Sequence, residues 1–272
     1  MIGCYSEEQK AMLYAMSDIH GCADILQSNL AQVDLAGDNR LILLGDYIDY
    51  GPKSGQALRC IYDLQKRHGA DKVIVLRGNH EEMLLEWLDA YTGPGAGQPD
   101  EYGLIPWSDW LRTDRDYQTF RTLIAEDQWN DFCALDASAG DKWNQVAARM
   151  VLEKSGDLIA WLRLLPYYYE TNRQIFVHAG IDEELGDWWR QGTEPYVFTG
   201  KYPATTGSFY KDVIAGHVGT SVLAKDPDFH GVWHDGRSHW YIDGTVNASG
   251  IIPILTYDEK TEKYGELRTI DL

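Results

Sequence analysis

Three short apolar runs, Leu13-Tyr14-Ala15-Met16, Arg40-Leu41-Ile42-Leu43-Leu44 and Lys72-Val73-Ile74-Val75-Leu76, each break off at a cluster of Asp, His or Asn residues. Runs of this length without polar alternation predict strands buried on both faces. Between them the apolar positions change to helical spacing. Ile25, Leu26, Leu30 and Val33 predict an amphipathic helix from Asp24 onward. Leu58, Ile61, Tyr62 and Leu64 predict a second helix over about 54–67, and Glu82 to Leu88 a third. Right-handed β-α-β crossovers then bring the three strand ends to one edge of a parallel sheet, where ligands of open α/β sheets gather.

From about Thr92 the pattern changes. Gly93-Pro94-Gly95-Ala96-Gly97-Gln98-Pro99 reads as a loop. Beyond it Trp107, Trp110, Leu111, Phe120, Leu123, Ile124, Trp129, Phe132 and Leu135 predict short aromatic-rich helices, with further helical stretches at Trp143–Lys154 and Asp157–Leu164. Residues 91–165 are therefore expected to be a helical insertion that caps the sheet edge, its aromatics mostly packing on one another. Strands return at Tyr167–Glu170, Gln174–Val177 and Val213–Ala215. The stretches Gly231–His234, His239–Asp243 and Ile251–Tyr257 alternate as antiparallel strands do, and a second sheet packed on the first accounts for them.

At 272 residues and 44% hydrophobic content the chain suits one large domain, 1–272, containing that insertion. No apolar run is long enough for a bilayer, and Met1 to Lys10 lacks the basic-then-apolar order of a secretory signal, so a soluble cytoplasmic protein is expected, without a membrane partner. Cys4, Cys22, Cys60 and Cys133 form no CxxC pair, which argues against a zinc or disulfide framework and leaves Cys22 as a small buried thiol. A formal net charge of -18 with no basic run disfavours nucleic acid as a partner. It would repel a phosphorylated substrate too, unless strong positive charge sits inside the site, which bound metal ions could supply.

The polar residues at the strand ends are Asp18, His20, Asp46, Asp49, Asn79, His80, His178 and His217, most beside a glycine. Carboxylate, imidazole and carboxamide donors without a thiolate suit borderline to hard divalent ions, and there are enough for two. Manganese is the expected ion, with zinc, iron or magnesium as alternatives. The remaining histidines, His68, His230, His234 and His239, close no motif and read as surface or turn residues. For Asp243, within Tyr241-Ile242-Asp243-Gly244, a place near the site and a plain turn are both open.

In Asp18-Ile19-His20-Gly21, Gly45-Asp46-Tyr47-Ile48-Asp49-Tyr50-Gly51, Arg77-Gly78-Asn79-His80-Glu81, Val177-His178-Ala179-Gly180 and Gly216-His217 the chain resembles the calcineurin-like metallophosphoesterases, specifically the phosphoprotein phosphatase branch with its bacterial and bacteriophage enzymes. The resemblance implies an α/β fold, a four-layer αββα sandwich of two mixed sheets. It implies that Asp18 and His20 hold one metal, that Asp46 bridges, and that Asn79, His178 and His217 hold the second. A hydroxide between the ions would attack phosphorus directly, His80, oriented by Asp49, would act as general acid, and Arg77 would clamp a phosphate oxygen. The implied activity is phosphomonoester hydrolysis by a bacterial-type protein phosphatase, on phosphoserine, phosphothreonine or phosphotyrosine. The alternative is a hydrolase of diadenosine polyphosphates or another small phosphorylated metabolite.

Two departures from the family pattern bear on substrate. Tyr50 stands where an arginine is usual, and Tyr196 to Tyr202 replaces a Trp-x-Arg segment, leaving Lys201 or Arg190 as the remaining candidate phosphate-binding cations. This moves weight toward phosphotyrosine or a small phosphorylated molecule. Gly219, where many phosphodiesterase relatives carry a further histidine, favours the monoesterase branch. A silent metal-binding scaffold with partners on the Trp-rich insertion is the reading from another class, and it would normally have lost His80 or a ligand.

Overall fold

The computed structural model describes residues 11–93, 109–135 and 141–267. Cys4, the residues at 94–99 of the Gly- and Pro-rich loop, and Trp107 lie outside these.

Each strand of the first sheet sorts its apolar residues onto two faces, and this sorting produces the layers. In β1 (Met12–Met16), β2 (Arg40–Leu43) and β3 (Val73–Val75), Leu13, Ala15, Ile42 and Ile74 point one way, and Tyr14, Met16, Leu41, Leu43, Val73 and Val75 the other. The first set packs against Phe176, Ile214 and Ile242 of the second sheet. The second set packs under α1 (Ala23–Leu30), α2 (Ser54–His68) and α3 (Asn79–Thr92). Burial on both faces explains why these strands lack polar alternation, and each such Leu, Ile or Val contributes about 1.5–3 kcal/mol relative to an exposed one. The three strands pair in parallel, β1 with β2 and β2 with β3, so their carboxyl ends do share one edge.

The second sheet has the order β4 (Tyr168–Glu170), β5 (Gln174–Val177), β6 (Asp212–Gly219), β8 (His239–Asp243), β7 (Trp233–His234). The chain then returns to the first sheet. β9 (Ile254–Asp258) lies antiparallel beside β1, and β10 (Lys263–Leu267) closes a hairpin on it. The expected second sheet thus keeps β7 and β8 but not β9, whose Leu255 and Tyr257 are needed between the sheets. A third apolar cluster, with Trp189, Phe198 and Tyr241, covers the outer face of the second sheet and completes the αββα stack.

Within the 91–165 insertion lie α4 (Trp110–Thr113), α5 (Gln118–Leu123), α6 (Gln128–Cys133) and α7 (Asp141–Leu162). The two helical stretches read from the sequence are the halves of α7, joined at Ser155, which has φ -119 and ψ 19 and whose Oγ donates to the Leu123 carbonyl at 2.7 Å. Hydrogen bonds from Trp87 to Asn144 (2.9 Å) and from Trp161 to Gln65 (2.8 Å) tie α7 to α3 and α2. No helix among the described residues is long and apolar enough to cross a membrane.

His239 corrects the expectation of a surface or turn residue. It opens β8 and is 1% exposed, with its ring between Glu183 Oε1 (3.0 Å), Asp235 Oδ2 (3.2 Å) and the Gly207 carbonyl (3.1 Å). Burial works to lower its pKa, but the hydrogen bond and charge of Glu183, with Asp235, hold it above the ordinary imidazole value. A raised folded pKa gives stability that is full below the unfolded value of about 6.5 and is lost as pH rises through the folded value. His239→Gln is expected to cost about 1–3 kcal/mol in urea unfolding at pH 6 and less at pH 9. A cost independent of pH would show that the imidazolium contributes nothing.

Candidate metal centre

The loops after β1, β2 and β3 converge because they bond to one another. The amides of Asp18, His20 and Gly21 donate to the carbonyls of Gly45 (3.1 Å), Asp46 (2.9 Å) and Tyr47 (2.8 Å), and the Gly216 amide donates to His178 O (2.8 Å). Glu81, which had no role in the sequence reading, is the stitch. Fully buried, it accepts from the amides of Gly78 (3.0 Å), Asp46 (2.9 Å) and Tyr47 (2.8 Å), joining the second loop to the start of α3. Its place three residues after the helix's N-cap, Gly78, is the spacing of a capping box, and that was the signal available. Gly78 has no alternative: a Cβ there would fall 2.2 Å from Asp46 Oδ1. Asp18, His20, Asp46, Asp49, Tyr50 and His217 all hold positive φ, between 43° and 69°. Left-handed backbone at non-glycine residues costs about 1–3 kcal/mol each and clusters at functional sites.

Asp46 is the centre of the result. Its Oδ1 accepts the His80 amide at 3.1 Å, while its Oδ2 lies 3.4 Å from His178 Nε2, 3.7 Å from His20 Nε2 and 3.9 Å from His80 Nε2. Two groups of potential ligand atoms share it: His20, Asp46 and His80 form one, and Asp46, His178 and His217 the other. Asn79 Oδ1 is 2.9 Å from His178 Nε2. Asp18 sits 3.9 Å from His20 Nε2 and accepts the His217 amide at 3.1 Å. His20 Nδ1 bonds the Ile48 carbonyl at 3.0 Å, which aims Nε2 inward. All six expected ligands therefore meet at one rim.

Burial raises the pKa of Asp46, but His178 and His80 more than offset it and hold the carboxyl well below the usual range. Burial works to lower His80 and His178, and the Asp46 charge pushes each up to about 9. His217, lowered by burial and by the charge of His178, falls to about 4. A pocket this anionic draws protons in as its cations. Divalent ions among the same atoms supply that charge with the imidazoles of His20, His178 and His217 neutral and their lone pairs free, so the donor set fits two such ions.

His80 Nδ1 is 2.7 Å from Asp49 Oδ2, the expected pair. Tyr50 is 62% exposed, with its ring edge-on to His20 (4.9 Å) and His80 (5.1 Å) at the mouth. Asp243 resolves toward the site. It is buried opposite Gly219 at the end of β8, and burial together with the Asp18 charge raises it to about 7.

The expected phosphate-binding cations are each engaged with protein groups. Arg77 donates to Leu162 O (3.1 Å), Arg163 O (2.8 Å) and Glu82 (3.3 Å) and stacks on Tyr167, tying the end of α7 to α3. Arg190 pairs with Glu170 of the edge strand β4 and lies over the Trp189 ring. Lys201 bonds the Ile181 carbonyl, with its stem across Gly180. Each guanidinium or ammonium is held by carbonyl or carboxylate oxygens. The other residue missed was Trp110, whose indole N–H donates to Asp49 Oδ2 at 3.2 Å. Nothing local in sequence separates it from the packing aromatics around it.

Carboxylates, imidazoles and a carboxamide gathered at the strand ends of a two-sheet sandwich form a donor set suited to divalent ions. The chain belongs to the calcineurin-like phosphoesterase family, which it matches over residues 12–239. A symmetrical bis(5'-nucleosyl)-tetraphosphatase from Vibrio cholerae is 29% identical over 165 residues, covering 57% of this chain and 56% of that protein. One from Thioalkalivibrio sulfidiphilus is 32% identical over 147 residues, covering 50% and 48%. The chain spans about half the length of these curated relatives. Among solved structures, a mutant of a cold-active protein tyrosine phosphatase aligns with TM-score 0.52 at 15% identity, covering 97% of this chain and 83% of that one. A protein serine/threonine phosphatase from Saccharomyces cerevisiae aligns with TM-score 0.50 at 9% identity, covering 97% and 81%. At these identities the likeness concerns the fold.

Proposed function

We propose that this protein hydrolyses a phosphoric anhydride at a two-ion centre and that its substrate is a dinucleoside polyphosphate. The observation that carries the centre is Asp46 Oδ2, ringed by three imidazole nitrogens within 3.9 Å. Asp18 and His20 would hold one ion, Asn79, His178 and His217 the other, with Asp46 common to both. When bound, the ions supply Lewis acidity: they neutralise charge on phosphoryl oxygens and activate water. His80, with Nδ1 fixed by Asp49, keeps Nε2 free to give a proton to the departing oxygen. Asp46 Oδ1 holds the amide beneath that imidazole, so the proton donor is fixed to the ligand set.

The substrate class rests on two supports. The curated relatives act on dinucleoside tetraphosphates. In addition, Arg77, Arg190 and Lys201 are all engaged with protein groups, which leaves the expected clamps for a protein phosphomonoester unfilled. Tyr50 supports a second reading, an aromatic phosphomonoesterase, because its exposed ring borders His20 and His80 and offers a face to a phenyl group or a nucleobase. The α4 and α5 segment, in contact with Asp49, would be the cap. Turnover of diadenosine tetraphosphate, p-nitrophenyl phosphate and phosphopeptides by metal-loaded protein tests this. Diadenosine tetraphosphate is expected to give the highest kcat/KM by about tenfold or more, with ADP as the product. A preference for phosphopeptides would overturn the substrate assignment.

A further inference from the structure

We propose that Trp110 is a positioning residue for the proton donor: its indole N–H and His80 Nδ1 share a single oxygen of Asp49, and this double anchoring fixes the tilt of the imidazole. The inference rests on the general-acid reading of His80.

A buried indole N–H usually finds some acceptor, so a hydrogen bond from Trp110 is unremarkable by itself. What carries the inference is which atom it chose. Asp49 Oδ2 already takes His80 at 2.7 Å, and Trp110 joins it at 3.2 Å, while Asp49 Oδ1 is buried without a protein partner. Two donors on one oxygen stop the carboxylate from rotating, and a stationary carboxylate holds the imidazole in one orientation. Hydrogen bonds to an ionised acceptor are about twice as strong as neutral ones, which suits them to this task.

The indole is itself immobilised. It is 1% exposed and packs 5.2 Å from Trp87, on the helix that carries His80, and the Trp87 N–H is bonded to Asn144 of α7. The same insertion also holds the Asp49 backbone: Thr119 Oγ1 of α5 accepts the Asp49 amide at 3.0 Å, and Asp114 in turn accepts the amides of Thr119 (3.1 Å) and Phe120 (2.8 Å). Side chain and main chain of Asp49 are thus both set by residues 110–120. The insertion's aromatic content would then serve proton transfer as well as packing.

The test compares phenyl phosphate, whose leaving group needs a proton, with p-nitrophenyl phosphate, whose leaving group needs it less, in metal-loaded full-length protein. Trp110→Phe is expected to lower kcat on phenyl phosphate by about tenfold, the lower end of what outer-shell partners contribute, and on p-nitrophenyl phosphate by about twofold, with KM little changed. Asp49→Asn/Trp110→Phe is expected to be no slower than Asp49→Asn alone, because the two act as one unit. Trp129→Phe, which alters aromatic packing elsewhere in the insertion against Tyr117 and Phe132 and leaves Trp110 and Trp87 in place, is expected to keep the native ratio between the substrates. In indole-labelled NMR spectra one hydrogen-bonded indole signal should move upfield in Asp49→Asn, a readout that survives if Trp110→Phe does not fold.

An equal loss on both substrates, an additive double variant, or indole signals unmoved by Asp49→Asn would each overturn the proposal. His80→Asn separates the layers. If it slows both substrates equally, the general-acid reading fails and this inference with it. If it is selective for phenyl phosphate and Trp110→Phe is not, Trp110 alone is excluded.

Discussion

Asp46→Asn should lower kcat/KM by about a thousandfold, the upper end of the scale on which losing one preorganised group at a reacting centre is felt. The reason is position. Among the described residues Asp46 alone is common to both groups of potential ligand atoms, so its substitution touches both. The change is small in shape but removes the carboxylate charge from among three imidazoles at 3.4, 3.7 and 3.9 Å, and it turns one acceptor into an amide donor. Metal retained after desalting should fall together with activity. Thermal stability in the metal-free state at neutral pH should fall as well, because His80 and His178 hold the Asp46 carboxyl below its ordinary range in the folded pocket, and removing it takes away the charge that both imidazoles are paired with. Native metal content with lost turnover would assign Asp46 a role other than ligation.

His80→Asn should show the next largest effect, and the effect should depend on the substrate. For phenyl phosphate a loss of about 10²–10⁴ in kcat is expected, the usual contribution of a general acid. For diadenosine tetraphosphate the leaving group is a nucleotide phosphate whose second pKa is about 6, so it departs with little need of a proton, and a loss of only about tenfold is expected. Steady-state kinetics on the two substrates checks this. Equal losses would mean that His80 acts through charge or ligation, an alternative its 3.9 Å approach to Asp46 makes concrete.

What could be read from the sequence followed from how local each signal was. The β1, β2 and β3 runs were legible because burial on both faces leaves a continuous apolar stretch, and the gathering of Asp18, His20, Asp46, Asn79 and His80 was legible because they follow directly on those runs. The return of β9 to the first sheet was not, since Ile254 to Asp258 alternates equally well for either partner and only the completed inter-sheet core decides. The protein partners of Arg77, Arg190 and Lys201 were not legible for a related reason. A motif fixes where a backbone passes, but a long cationic side chain settles on the nearest oxygens, here Leu162, Arg163, Glu170 and Ile181, which lie far off in sequence or are simple carbonyls. Trp110 and His239 were missed because their partners, Asp49 and Glu183, are distant in the chain, and a tryptophan or histidine without a motif looks like any other.

The two-ion centre depends on Asp46 serving both ions at once. Titrating manganese into metal-stripped protein and following the electron paramagnetic resonance signal tests that directly. Two ions per chain are expected, held about 3.5–4 Å apart, so that the second brings spin coupling to the first. A single ion per chain, or two that remain magnetically independent, would contradict the shared carboxylate.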